Sequence, residues 1–313
     1  MMRALPSTAT LGALCAIGAS AGFTVNDMAV KYLSSDYAMH QVILIRSGIA
    51  LALTLAIIMP LTGGLGQIRT RRPLTHLLRG LFVVAANMAF FLALAAMPIA
   101  DATAIFFVSP MVIALFSVVF LGETVGPWRW SAIGLGLVGV IIMIRPGTSA
   151  FTLVALLPLL AAVCYAALHT LTRKLGVSES AATLAFYIQL TFVVFSGAVG
   201  LGIGDGRFDT GGHASMAFLT RAWVWPAAAD WPFFVLTGLG SAIGGLLISQ
   251  AYRMCEAAMV APLEYVAMPM AIFWGFVIFG EWPDLLSWTG ILLILASGIF
   301  MIWRETRTAS PRP

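Results

Sequence analysis

Ten apolar stretches, most of them about twenty residues long, leave this chain few ways to fold. Their limits read as Thr10–Leu33, Ala38–Thr62, Leu74–Ala96, Ala102–Leu121, Trp130–Ile144, Leu153–Leu171, Ala181–Ile203, Trp231–Tyr252, Ala258–Phe279 and Leu285–Trp303. A run of that length matches the hydrocarbon thickness of a bilayer when it is helical, and a helix satisfies its own backbone hydrogen bonds there. The runs are too long and too evenly apolar to be barrel strands. With 60% hydrophobic and 10% charged residues and a mean hydropathy of +0.98, the chain has too little polar surface to cover a water-soluble globule. An all-α integral membrane protein of ten spanning helices follows.

The N-terminus invites a different reading. Arg3 precedes an apolar run and Ala19-Ser20-Ala21 resembles a signal cleavage site. The run continues to Leu33, however, and has a counterpart from Leu156 to Leu175, so a retained first span is expected.

A second pattern lies over the first. The segment Asp101–Arg145 contains Pro110-Met111, an apolar run, Gly122-Glu123, Trp130 and Met143-Ile144-Arg145. Val260–Trp303 repeats this order with Pro269-Met270, Gly280-Glu281, Trp288 and Met301-Ile302-Trp303. Glu123 to Trp130 and Glu281 to Trp288 are both seven residues, and each glutamate lies 22 residues from the end of its block. This is an internal duplication. Its units are residues 1–147 and 148–305, followed by a tail at 306–313.

Basic residues orient the bundle. With a cytoplasmic N-terminus, twelve Lys and Arg fall at the inner face and four, Lys31, Arg145, Arg207 and Arg221, at the outer face. Both termini are then cytoplasmic. Five spans per unit is an odd number, so the second unit enters from the opposite side, with Gly122-Glu123 inside and Gly280-Glu281 outside. Inverted repeats around a central cavity let the same contacts form on either side of a midplane site, the architecture of alternating access.

The words FFVSPMVIALFSVVFLGE with GLGLVGVIIMIRPG, and APLEYVAMPMAIFWGFVIFGEWP, resemble the drug/metabolite transporter superfamily in its EamA-type branch. The resemblance runs from about Thr10 to Arg304. It implies a ten-helix transporter whose cavity is lined chiefly by the third, fourth, eighth and ninth spans, with help from the first and sixth. It also implies peripheral fifth and tenth spans that could carry dimer contacts, so monomer and homodimer both stay open. Substrates of similar proteins range from amino acids to vitamins, nucleotide-like metabolites and organic cations.

Polar groups at membrane depth are costly and select themselves as candidates, each ionisable group by about 2.5–3.5 kcal/mol on insertion scales. Asp27 and Arg46 are expected to neutralise one another with Lys31 beside them, either as a structural pair or as an outer gate. Glu264 carries the strongest functional expectation: its counterpart in the first unit is the apolar Ile105, so its charge does not belong to the repeat scaffold. It would bind an amine or hold a coupling proton, unless His169 or Arg253 satisfies it structurally. Tyr265 and Asn87 are candidate hydrogen-bonding residues, and His169 and Gln189 are candidates because they replace Asn26 and Arg46 in the second unit. Phe107 is a candidate cavity aromatic. Pro110 and Pro269 are expected to kink their helices, and Glu123 and Glu281 to serve only as turn residues. Residues 204–230 read as a solvated loop with an amphipathic piece near Ala217–Trp225.

The leading expectation is a secondary transporter of an amino acid or amine-bearing derivative across a bacterial inner membrane. A vitamin or nucleoside-like metabolite, such as riboflavin or S-adenosylmethionine, is the alternative, and a channel or non-transporting membrane partner is the rival from another class. Expected partners are the lipid bilayer, a small-molecule substrate and protons. Nucleic acid is not expected, because the basic residues lie in short connectors. No cofactor, metal or enzymatic activity is expected: there is no nucleophile or acid–base constellation, no P-loop, and the three cysteines have no metal-ligand spacing.

Overall fold

A computed structural model describes residues 8–122, 126–148, 152–175, 180–209, 211–254 and 263–308. Glu123 lies outside them, as does the side chain of Lys174. Apolar composition and intrahelical hydrogen bonding produce helices throughout, with no strand among the described residues. They are α1 Thr8–Leu33, α2 Met39–Leu53, α3 Pro73–Leu94, α4 Ile99–Phe106, α5 Ser109–Leu121, α6 Pro127–Ile144, α7 Leu156–Leu175, α8 Ala181–Ile203, α9 Ala214–Thr220, α10 Trp231–Met254, α11 Ala267–Phe279 and α12 Leu285–Thr308. Helix α2 continues through a π turn at Thr54–Ile58 into Met59–Thr62. The π turn has a local cause, since Pro60 has no N–H to return to the carbonyl four residues back.

Among the described residues, seven helices are long and apolar enough to span a membrane, and three shorter apolar helices, Trp130–Ile144, Ala267–Phe279 and Leu285–Phe300, bring the bundle to the expected ten. The fourth span is broken between α4 and α5, at Phe107-Val108, and the ninth is interrupted in the same way at Tyr265-Val266, ahead of α11. Pro110 and Pro269 fall in the first turn of the helix after each break. A first-turn N–H has no intrahelical partner to lose, so the ring is accommodated there and starts a new helix instead of bending an old one.

Packing repeats as the sequence does. Helix α1 packs on α10 as α7 packs on α3, α1 touches α11 as α7 touches α5, and α2 meets α10 as α8 meets α3. The pairs α2·α8, α4·α11 and α6·α12 join equivalent spans of the two units. Backbone geometry agrees: Gly122 and Gly280 end equivalent helices with φ of 68° and 66°, a left-handed cap that favours glycine. The α1/α10 seam is close enough that a Cβ on Gly240 would come within 2.6 Å of the Gly22 carbonyl oxygen.

Residues 205–209 and 211–214 are mostly exposed, as a solvated loop would be, whereas residues 215–230 pack over the end of the bundle that carries Lys31. Phe218 is fully buried in the core beneath, Ser215 donates to the Leu92 carbonyl at 2.7 Å, and Tyr37 donates to Asp230 at 2.5 Å. Gln41 donates to the Val224 carbonyl and accepts from the Val224 N–H. The helical piece is Ala214–Thr220, short of the expected limits. Trp223 donates its indole N–H to His40. A phenylalanine buried on one side and polar groups satisfied on the other turn the second part of the connector into a lid.

Candidate functional site

Three groups of side chains lie at different depths in the bundle. At the Lys31 end, the Lys31 ammonium forms an ion pair with Glu281 at 2.8 Å and donates to the Met97 carbonyl at 2.6 Å. It also lies 5.1 Å from the Phe279 ring centre, and Glu281 accepts from the Ile99 N–H at 3.3 Å. Glu281, expected to be a turn residue, is therefore the partner of Lys31 and ties the second unit to the first. Its glycine explains the reach: the left-handed Gly280 turns the chain so that the glutamate faces α1 and α4. Next to this pair is a recess of about 780 Å³, lined by Lys31, Ser34, Met97, Arg221, Phe279 and Glu281.

A second ionic contact crosses the same end outside the spans. Arg145 pairs with Asp284 through contacts of 2.5 and 2.6 Å, while Asp284 caps α12 by accepting from the Ser287 N–H at 2.7 Å. Arg145 and these N-terminal hydrogen bonds hold the Asp284 carboxyl down, at about 2.

One turn deeper, Asp27 and Arg46 interact electrostatically without forming a direct ion pair. Asp27 accepts from the Asn26 amide at 2.9 Å. The Arg46 guanidinium carbon lies 5.1 Å from the centre of the Phe91 ring and 4.7 Å from that of Phe192. It is 2% exposed, and its Nε and Nη2 have no hydrogen-bond partner. Stacking of a desolvated guanidinium contributes about 2 kcal/mol, whereas each buried donor without a partner costs about 1–3 kcal/mol. Stacking alone does not offset two such donors. Gln189 lies on the same face of α8, one turn from Phe192; its amide donates to Ser241 at 2.9 Å, and its carbonyl oxygen has no partner. The Asn26 carbonyl oxygen and the Ser47 hydroxyl share that condition.

From Phe91 a ladder of rings leads to the other end. Phe91–Phe90, Phe90–Phe106, Phe106–Tyr165 and Tyr165–His169 have centroid separations of 6.4, 5.3, 5.3 and 4.4 Å. The ladder crosses from α3 through α4 to α7, and so from one unit to the other. Phe90, Phe106, Tyr165 and His169 are only partly buried, although they sit among packed helices. Asn87 is half-buried on α3 and donates to its own Val83 carbonyl at 3.0 Å.

The ladder ends at the two helix breaks. Phe107, from the first break, packs edge-on against Tyr265, from the second, at 5.0 Å. Glu264 stands close enough to Tyr165 and Tyr265 to interact electrostatically with both. The Tyr265 hydroxyl is buried without a partner. The structure thus gathers Glu264, Tyr265, Phe107 and His169 at one end of the ladder and Asp27, Arg46 and Gln189 at the other, and it separates Lys31 from both. Sequence reasoning missed Phe192 and Ser241, whose types are unremarkable in a span, and set Glu281 aside as loop-level. Among the described residues, no group of three or more His, Cys, Asp or Glu could hold a metal.

Comparison with known proteins bears on this arrangement. A family model described as the EamA-like transporter family matches residues 10–145. The chain is 29% identical over 304 residues to a riboflavin transporter of Rhizobium johnstonii, covering 96% of this chain and 94% of the relative. It is 25% identical over 290 residues to an S-adenosylmethionine uptake transporter of Rickettsia prowazekii, covering 92% and 91%. The pseudopaline exporter of Pseudomonas aeruginosa is 25% identical over 290 residues, covering 92% and 94%. A solved crystal structure aligns with a TM-score of 0.63 at 20% identity, over 98% of this chain and 100% of the other, a likeness that concerns the fold alone.

Proposed function

We propose that this chain, which matches the EamA-like transporter family over residues 10–145 and is similar to riboflavin and S-adenosylmethionine transporters, carries a planar heteroaromatic metabolite of the flavin or adenosyl class across a bacterial inner membrane. Transport proceeds by alternating access, with both termini cytoplasmic and the Lys31 end outward. This reading displaces the amino-acid expectation in favour of its vitamin or nucleoside-like alternative. The observation that carries it is the ring ladder from Phe91 to His169, built across the two units from partly buried aromatics. Rings spaced in this way stack on a flat conjugated ligand, with a few polar groups to fix its orientation. A simple aliphatic amino acid has no use for five such rings. Relatives named for riboflavin and S-adenosylmethionine transport support the same class.

In this mechanism the ladder holds the ring system, Glu264 and Tyr265 receive donor groups on the substrate's polar arm, and the Lys31–Glu281 pair closes the outer end. The helix breaks at Phe107 and Tyr265 give each unit a joint at cavity level, as discontinuous helices do in inverted-repeat transporters. No catalytic step is involved.

The test is uptake of radiolabelled riboflavin, S-adenosylmethionine and leucine by purified protein in liposomes, with counterflow to separate a carrier from a channel. Saturable uptake and counterflow of a heteroaromatic compound, unaffected by excess leucine, is the expected result. Leucine uptake without either heteroaromatic compound would refute the reading.

A further inference from the structure

The recess at the Lys31 end has no part in the transport reading above, although its volume of about 780 Å³ is that of a small-ligand site. Lys31 lines it from α1 and Arg221 from the chain that leaves α9, and Glu281 is its only carboxylate among the described residues. Two cations and one anion leave this lining with an excess of positive charge.

The two cations are held differently. Lys31 is committed to Glu281 at 2.8 Å and to the Met97 carbonyl at 2.6 Å. Arg221 uses only Nη1, which donates to the Ser34 and Tyr37 carbonyls at 3.1 and 3.4 Å, just past the end of α1. That one nitrogen is enough to tie the cap to α1. Nε and Nη2 make no hydrogen bond, and the guanidinium no ion pair, among the described residues. These two nitrogens form the edge whose parallel N–H groups match a carboxylate or phosphate. The cap holds Arg221 in place by other bonds as well, from Tyr37 to Asp230 and from Ser215 to the Leu92 carbonyl.

We propose that this recess binds the carboxylate or phosphate of a small soluble anion, with Arg221 as a fixed fork and Lys31 as a second donor that the anion takes over from Glu281. Anion and Glu281 then compete for one ammonium group. Linkage is reciprocal: the factor by which the Lys31–Glu281 pair weakens anion binding is the factor by which the anion weakens the pair. Occupation therefore loosens a contact that ties the second unit to the first. Asp101 is also in electrostatic reach of Lys31 but does not line the recess. A lipid headgroup has the same chemistry. A soluble anion is favoured because the lining comes from the ends of α1, α3 and α11 and from the cap, not from the apolar flank of a span. The site itself does not need the transport reading; only its action on a gate rests on it.

The experiment is equilibrium binding of radiolabelled succinate to the full chain in detergent, with inorganic phosphate and neutral succinamide as competitors, for the unaltered protein, Arg221→Gln and Glu281→Gln. Phosphate is expected to displace succinate and succinamide not to. Arg221→Gln should weaken binding roughly tenfold. Glu281→Gln should tighten it roughly three- to fivefold, because Lys31 is released. A glutamate with a structural role alone would leave binding unchanged or weaker, and either result overturns the exchange, including the case in which Lys31 passes to Asp101. Equal displacement by succinamide overturns the anion site, and that comparison holds even if neither variant folds. Short-chain phosphatidylglycerol should compete no better than glycerol phosphate; displacement at far lower concentration assigns the recess to a lipid headgroup and overturns the proposal. Succinate binding with the expected signs, but no liposome uptake of any compound, leaves this site standing and overturns the transport reading. Heteroaromatic uptake without anion binding does the opposite.

Discussion

The Arg46 cluster and the Glu264 cluster occupy opposite ends of one aromatic ladder in a molecule whose two units share a scaffold, yet they are built differently. Arg46 lies on α2 within about 5 Å of the ring centres of Phe91 and Phe192, with Nε and Nη2 lacking hydrogen-bond partners. Glu264 lies beside a helix break, half-buried, with two tyrosines in electrostatic reach. A buried guanidinium beside two rings suits a fixed part of the ladder. A carboxylate at a joint suits a group that changes partner when the joint moves. The two clusters are not repeat equivalents: Gln189, the counterpart of Arg46, lies one turn from Phe192 in the Arg46 cluster itself, and the counterpart of Glu264 is Ile105.

The largest expected effect comes from removing the seam behind the Arg46 cluster. Gly240→Val drives its side chain into the Gly22 carbonyl and parts α1 from α10; overpacking of this kind costs about 1–3 kcal/mol or more. Little monodisperse protein should survive size-exclusion chromatography in detergent. A normal elution profile with unchanged thermal midpoint would show that the seam does not position Asn26.

Next in size is the Lys31–Glu281 pair, which lies above both clusters. Lys31→Met strands the Glu281 carboxylate and should destabilise the protein by about 1–3 kcal/mol. Lys31→Met with Glu281→Gln should recover most of the loss, because no unpaired charge remains. Additive losses in the double variant, read by denaturant titration, would mean that the two residues act independently.

Glu264→Gln sharpens the comparison directly. It should lower riboflavin uptake about tenfold by removing the charge while equilibrium binding, governed by the ring ladder, changes much less. A parallel loss of binding would merge the two clusters into one recognition site.

The smallest effect is expected from Asp284, which lies outside both. Its folded-state carboxyl is depressed to about 2 from an ordinary 3.8, so its contribution is complete above the ordinary value and disappears as the pH falls toward 2. The side chain is 56% exposed, which limits the contribution to below about 1 kcal/mol. Asp284→Asn should lower the thermal midpoint slightly at pH 5 and not at pH 2, and an equal loss at both would assign the effect to helix capping alone.

Much of the frame was legible in the residues. Ten apolar runs dictated ten helices because a bilayer permits no other backbone solution, and Pro110 and Pro269 marked where two spans are interrupted. The site was legible in part. Arg46, Gln189, Glu264 and Tyr265 were conspicuous because polar groups are costly at depth, and their mismatch between the units pointed to function. Phe192 and Ser241 gave no such signal, since a phenylalanine or serine in a span is ordinary until its neighbours are known. Asp27 and Arg46 interact electrostatically but make no direct ion pair, because depth along one dimension says nothing about helix rotation and the guanidinium lies nearest Phe91 of α3 and Phe192 of α8. Residues 215–230 misled because they follow a Gly-rich exposed stretch and read as part of its solvated loop, while one buried phenylalanine and a set of backbone hydrogen bonds made them a cap.

The sequence by itself determined that the chain is helical, membrane-spanning and twice repeated, because length, apolarity and spacing are properties of the chain in one dimension. Which charge meets which was decided only by the tertiary structure. Lys31 finds Glu281 across 250 residues because an inverted second unit brings a loop glutamate back to the end of α1, and Arg46 lies nearest two rings that come from separate helices. Electrostatic and hydrogen-bond partners act over a few ångströms, and only the packing of helices sets distances on that scale.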